Sequence, residues 1–171
     1  MKGFIQVYTG NGKGKTTAAF GLALRAAGAG LKVYFAQFIK GMKYSELESI
    51  KKFDDLIMLK QYGRDCFIKK NPEQQDIDLA QKGFNAVKEI VLSGKYDIVI
   101  LDEITIAIFY SLINEDDLLK LMQNKPEHVE LVITGRYATN AIIEQADLVT
   151  EMKEIKHYYQ KGITARTGIE K

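Results

Sequence analysis

Cysteine is nearly absent from this chain. Cys66 alone among 171 residues excludes an internal disulfide and a cysteine-rich zinc site, and it fits a reducing compartment. Histidine occurs twice, and no Ser/His/Asp or Cys/His set stands out for nucleophilic catalysis. Charge of one sign is also missing. A net charge of +2 implies no strong field toward nucleic acid or membrane. The longest apolar runs have the length of strands, which excludes a membrane span. Only two prolines interrupt the chain, and there are no repeats, low-complexity tracts or linkers. The first strand begins almost directly after Met1, so no signal peptide is expected and the expected location is the cytoplasm. With 46% apolar and 27% charged residues, the expectation is one globular domain spanning residues 1–171.

What is present is concentrated near the start. Phe4, Ile5, Val7 and Tyr8 form a short apolar run that stops at a glycine-rich turn, and an alanine-rich helix begins at Lys15. Strand, glycine turn, Gly-Lys-Thr and helix make a phosphate-binding loop. Gly10, Gly12 and Gly14 allow several backbone N–H groups to converge on an anion at the positive end of the helix. Lys15 adds a mobile cation, and Thr16 a hydroxyl suited to Mg²⁺. In the G-x-x-x-x-G-K-T frame the first glycine is replaced by Thr9. A nucleoside triphosphate is the expected ligand.

Downstream, the periodicity predicts helices and strands in alternation. A helix is expected over residues 16–30 and a buried strand over 31–39. A short helix follows over 44–53, a short strand over 56–59 and an irregular polar stretch over 61–75. Another helix spans 76–93, stopped by Gly94. The two-sided apolar run at 97–104 reads as a strand inside a parallel sheet. One or two helices over 106–123 end at Pro126, and a strand at 130–134, a helix at 138–145 and a last strand at 148–155 complete the chain. The implied fold class is α/β, a three-layer, P-loop NTPase-like (RecA-like), mostly parallel sheet flanked by helices. Strand order is not legible at this level.

Ligands in parallel sheets bind at the carboxyl ends of strands, where Asp102-Glu103 and Thr134-Gly135-Arg136 fall. The two acids serve either as metal ligands opposite Thr16 or as a cap for the next helix. The loop upstream favours the metal role, with Glu103 as the expected ligand and Asp102 as second choice. Arg136 faces the same crevice and Arg25 lies on the loop helix. Each is a candidate phosphate or ribose clamp, or an ordinary surface charge.

Five blocks now stand in order: Gly10-Asn-Gly-Lys-Gly-Lys-Thr-Thr-Ala-Ala-Phe-Gly21, Gln37-Phe-Ile-Lys-Gly41, Ile100-Leu-Asp-Glu103, Ile133-Thr-Gly-Arg136, and Glu154-Ile-Lys-His157 followed by Gly162-Ile-Thr-Ala-Arg-Thr-Gly-Ile169-Glu170. This series resembles the ATP:cob(I)alamin adenosyltransferases of the cobalamin-biosynthesis type over nearly the whole chain. That family's loop also lacks the first glycine. The resemblance implies that Co(I) of a corrinoid attacks the 5′ carbon of ATP and displaces triphosphate. The nucleophile is then the cobalt, and no general base is needed. It implies charge stabilisation by Lys15 and by Mg²⁺ on Thr16 and Glu103, with Asn11, Lys13 and Thr17 as further loop contacts, and a triphosphate lying in the reverse sense to kinases.

The resemblance also implies aromatic side chains pressed on the lower corrin face, for which Tyr62 and Phe67 are the candidates. Cys66 and His157 are not expected to bind cobalt, since such a ligand would oppose reduction. A homodimer and a flavoprotein reductase as electron donor are further implications. The basic residues Lys51, Lys52, Lys60, Arg64, Lys69 and Lys70 are surface charges or a docking site for that reductase. Longer family members carry a segment before the first strand that covers the site. The cover here is therefore expected from residues 62–75 or a neighbouring subunit. A P-loop kinase or ATPase acting at the γ-phosphate, and an ATP-gated carrier of adenosylcobalamin, are the alternative readings.

Overall fold

A computed structural model describes residues 2–42, 44–65 and 71–171. The alternation read from the sequence becomes a six-stranded sheet in the order β3-β2-β4-β5-β1-β6. The strands are β1 (Ile5–Thr9), β2 (Val33–Phe38), β3 (Ile57–Tyr62), β4 (Ile98–Asp102), β5 (Glu130–Thr134) and β6 (Leu148–Glu151). All five pairings are parallel. Parallel neighbours need long crossovers, and these carry α1 (Lys15–Gly28), α2 (Ser45–Ile50), α3 (Gln74–Ser93), α4 (Ile104–Phe109), α5 (Glu115–Asn124) and α6 (Asn140–Gln145).

Both faces of the sheet are covered. Ala19, Ala23, Ala26 and Ala27 of α1 pack on Phe35, Ile57, Ile98, Ile100 and Val132. On that face Phe20 stacks on Phe35 with ring centroids 4.1 Å apart. The alanine stripe is what permits this close approach, since each position contributes only a methyl group. The opposite face is thicker: Phe84, Val87 and Val91 of α3 and Leu118, Leu121 and Met122 of α5 meet Tyr34, Phe38, Val99, Leu101, Leu131 and Ile133. Tyr34 and Phe35 thus go to opposite faces, as the period of two requires. Every residue of β2, β4 and β5 is buried. The edge strand β6 is exposed along its whole length.

The structure corrects several boundaries. β3 continues through Tyr62 rather than ending near residue 59, because Gln61 finds a polar partner inside the sheet: its Nε2 donates to Gln37 Oε1 at 3.0 Å. α3 starts at Gln74 rather than Asp76, behind a reciprocal cap between Glu73 and Asp76. The sequence 106–123 resolves into two helices separated by Ser111, whose φ of 57° stops the first. β6 ends at Glu151, four residues short of the expected end.

Candidate active site

The loop leaves β1 at Thr9 and enters α1 at Lys15, with Gly10 at φ 93° and Gly14 at φ 120°. These are backbone conformations that a side chain disfavours. Gly12 answers a second demand. Its N–H donates to the Met152 carbonyl at 2.6 Å, and a Cβ there would stand 2.6 Å from that oxygen. The chain after β6 therefore forms one wall of the loop. Beside it lies a cleft of about 470 Å³ lined by Asn11, Glu151, Lys153 and Glu154. Two acids in that lining make it unsuited to a triphosphate.

Lys15 is buried, and its ammonium donates to the carbonyls of Gly10 at 2.6 Å and Gly12 at 2.8 Å. Burial pushes its pKa down, and the nearby carboxylate of Glu103 opposes that shift. Thr16 sits one residue further, with its hydroxyl donating to Asp102 at 2.9 Å. Asp102 is fully buried at the end of β4, and its two oxygens are densely bonded. Oδ1 also accepts from Thr134 at 2.6 Å. Oδ2 accepts from Lys40 at 2.8 Å and Gln37 at 3.2 Å. Lys40 in turn donates to the Thr16 hydroxyl at 2.9 Å.

The two acids at the carboxyl end of β4, Asp102 within it and Glu103 just after it, thus divide. Glu103 is the expected metal ligand with Asp102 as second choice, and it is Asp102 that the Thr16 hydroxyl contacts. The reason is backbone direction: Glu103 is left-handed at φ 61°, its N–H donates to Thr134 Oγ1 at 3.1 Å, and its carboxylate turns toward Gly135. Burial pushes the Glu103 carboxyl above its usual range and the Asp102 charge adds to this, while Lys40, Lys15 and Arg136 pull it back. Arg136 is exposed at the same edge, and its carbonyl accepts from Thr105.

Other expected contacts lie elsewhere. Arg25 is exposed ten residues beyond Lys15, roughly 15 Å along the helix, and its charge acts on the Tyr8 hydroxyl. It is not brought to the loop. Tyr62 is drawn into the core by the extension of β3: its hydroxyl pairs with that of Tyr34 at 2.7 Å, its ring packs 5.8 Å from Phe38, and Gly83 makes room for it. Phe67 and Cys66 lie outside the described residues. Asn11 is exposed on the loop and Thr17 on the first turn of α1. Lys13 points away from the crevice toward Glu170 at 3.1 Å, Tyr158 at 3.3 Å and the Ile169 carbonyl at 3.2 Å. His157 accepts from the Tyr159 N–H and caps a short helical turn at Tyr158–Lys161.

Over residues 1–170 the sequence matches ATP:corrinoid adenosyltransferase BtuR/CobO/CobP. The chain belongs to this family. It is 40% identical over 172 residues to a corrinoid adenosyltransferase of a Sinorhizobium species, covering 99% of this chain and 80% of that protein. A corrinoid adenosyltransferase of Pseudomonas aeruginosa is 35% identical, with 99% and 84% covered. Corrinoid adenosyltransferase CobA of Salmonella typhimurium is 33% identical, with 99% and 86% covered. For a member of this adenosyltransferase family, Lys40, Gln37 and Thr134 are additions to the sequence reading. All three stand at the carboxyl ends of strands beside a carboxylate, and that position was the available signal.

Proposed function

We propose that this protein transfers the 5′-deoxyadenosyl group of ATP to the Co(I) centre of a corrinoid, with release of triphosphate. The carrying observation is a phosphate loop whose Lys15 and Thr16 face Asp102 and Glu103 at one sheet edge with neither histidine there. His128 bonds the Gly94 carbonyl and His157 caps a turn. In this reaction the cobalt lone pair forms the Co–C bond as the C5′–O bond breaks. The electrons of that bond leave with triphosphate, and no proton moves. The protein must therefore position C5′ and stabilise the departing charge. Loop N–H groups and the Lys15 ammonium, freed from the Gly10 and Gly12 carbonyls, would do the latter.

The residues fit a magnesium ion. Thr16, Asp102 and Glu103 offer hard oxygens, and among the described residues no cluster of three or more His, Cys, Asp or Glu side chains is arranged as a complete cage. One or two carboxylates plus substrate phosphates is the ordinary way of holding Mg²⁺. The ion would neutralise the developing triphosphate charge. The exposed apolar residues Leu148 and Val149 on the edge strand support a homodimer reading. The Co(I) state of the substrate calls for an electron donor, and a flavoprotein reductase is the donor that the family resemblance implies. No helix among the described residues is long and apolar enough to cross a membrane. A cytoplasmic location, and one nucleotide-binding domain over residues 1–171, complete the reading.

The test is anaerobic: protein, MgATP and chemically reduced cob(I)alamin are mixed, and the visible spectrum and triphosphate are followed. A light-sensitive alkylcobalamin spectrum with stoichiometric triphosphate is expected. Phosphate or ADP without spectral change would instead assign the site to γ-phosphate chemistry.

A further inference from the structure

Lys13 of the loop turns toward Glu170; of the two lysines beside the Thr16–Asp102 pair, only Lys15 is accounted for by the phosphate-binding motif. Lys40 has a stranger position. It follows Ile39, a β-branched residue held at φ 61°, a conformation such a side chain ordinarily avoids. The next backbone position is clasped: a Cβ at Gly41 would run into the carbonyl of Gly63 and the backbone of Arg64. The chain is thus turned inward and fixed, and the ammonium of Lys40 is delivered to Asp102 Oδ2 at 2.8 Å and Thr16 Oγ1 at 2.9 Å. Its side chain is 17% exposed and that of Asp102 is wholly buried.

Those two oxygens are the pair that a magnesium ion on Thr16 and Asp102 requires. The remaining lone pairs of Asp102 are taken by Thr134 and Gln37. A cation of either kind satisfies the site, and two do not fit on it together. We propose that Lys40 is the built-in competitor of the divalent ion: ammonium and metal are alternative occupants of one Thr16–Asp102 position. An ion held on these two oxygens would leave the Lys40 ammonium to pair with the phosphate oxygens of the nucleotide. Lys40 is thereby a metal-gating residue in one state and a phosphate ligand in the other. The exchange keeps the charge beside buried Asp102 balanced, which matters because an unpaired buried carboxylate is costly. It also makes the metal and the nucleotide bind as a unit, since metal alone must expel a cation that has no anion to receive it. This inference rests on the magnesium reading of the preceding subsection.

The experiment is a titration of the full chain with Mn²⁺, read as free ion by electron paramagnetic resonance, first without nucleotide and then with ATP. The variants are Lys40→Met, Lys40→Gln and Asp102→Asn, each checked for a cooperative melt. Without nucleotide, K40M is expected to bind Mn²⁺ about tenfold or more tightly than the unaltered chain, because it removes a unit charge that stands 2.8 and 2.9 Å from the two oxygens in a largely buried site. With ATP, K40M is expected to bind the Mn–ATP complex more weakly, having lost a phosphate cation. K40Q carries the same test if K40M fails to fold. Unchanged Mn²⁺ affinity in both Lys40 variants, with D102N weakening Mn–ATP binding, would overturn the competition while sparing the metal site. Unchanged Mn–ATP binding in D102N would overturn the metal site and the competition with it.

Discussion

The two ends of the same strands handle acids in opposite ways. At the amino ends, carboxylates are tied to the chain itself. Glu130 accepts from the Phe4 N–H at 2.7 Å and from Gln6 Nε2 at 2.6 Å. Asp147 accepts from the Ile5 N–H and Asp97 from the Lys32 N–H, each at 2.8 Å. At the carboxyl ends, Asp102 and Glu103 are surrounded by the side-chain cations Lys15, Lys40 and Arg136. The backbone differs in the same sense. Ile39, Glu103 and Tyr137, left-handed at φ 61°, follow β2, β4 and β5. An acid bonded to fixed N–H groups holds strands in place. An acid bonded to side-chain cations can exchange them, and that separates a structural edge from a reactive one.

Four substitutions press on that contrast. In the proposed reaction Lys15 stabilises the leaving triphosphate, so Lys15→Ala should lower adenosyl transfer by about 10²–10³-fold with the far-ultraviolet circular dichroism unchanged. Near-normal turnover would take the loop out of the chemistry. Glu103→Gln should raise the Mg²⁺ concentration needed for half-maximal rate by about tenfold, measured as a metal titration at saturating ATP. An unchanged titration would leave the metal to Asp102 alone. Glu130→Gln, at the other end, should act on stability only, since the amide cannot accept at both its former partners. A loss of about 1–3 kcal/mol by urea melting, with MgATP affinity intact, is the expected result. Arg25→Ala should change MgATP affinity by less than about twofold, as for a surface charge.

A pH series sharpens the same point in the segment next to Lys40. Asp76 is buried at the start of α3, where Arg64 reaches it at 2.7 and 2.8 Å. Burial alone would push its carboxyl up, but the Arg64 bonds and the Glu73 N–H outweigh that and hold it below the usual range. A depressed carboxyl stabilises the fold fully above its ordinary pKa, and the contribution is lost as pH falls below about 4. Asp76→Asn should therefore lower stability at neutral pH by about 2 kcal/mol and flatten the acid side of the stability curve. A parallel acid limb in variant and parent would remove Asp76 from that role.

Local features of this molecule were legible and relational ones were not. The loop and its helix could be read because glycines, Lys15 and the alanine stripe act within one turn of each other. β3 was cut short because Lys60 and Gln61 look like the end of an apolar run, whereas Gln61 is held by Gln37 from the adjacent strand. Of the two acids, the partner of Thr16 depends on one left-handed residue at Glu103, for which the side chain gives no signal. Lys40 stands in the Gln37–Gly41 block, yet nothing in that block signals that it turns inward. Its inward course is set by Ile39, a residue that ordinarily avoids that conformation.

The position of β1 has a consequence in time. It is the first strand to be synthesised, yet it lies between the last two, with the Phe4–Glu130 and Ile5–Asp147 bonds closing 126 and 142 residues of chain. At usual translation rates that is roughly 6–25 s during which β1 has been made without either neighbour. The loop it carries can be set only after β5 and β6 arrive. Nascent chains halted before residue 130 should thus fail to hold ATP, however well their own helices have formed.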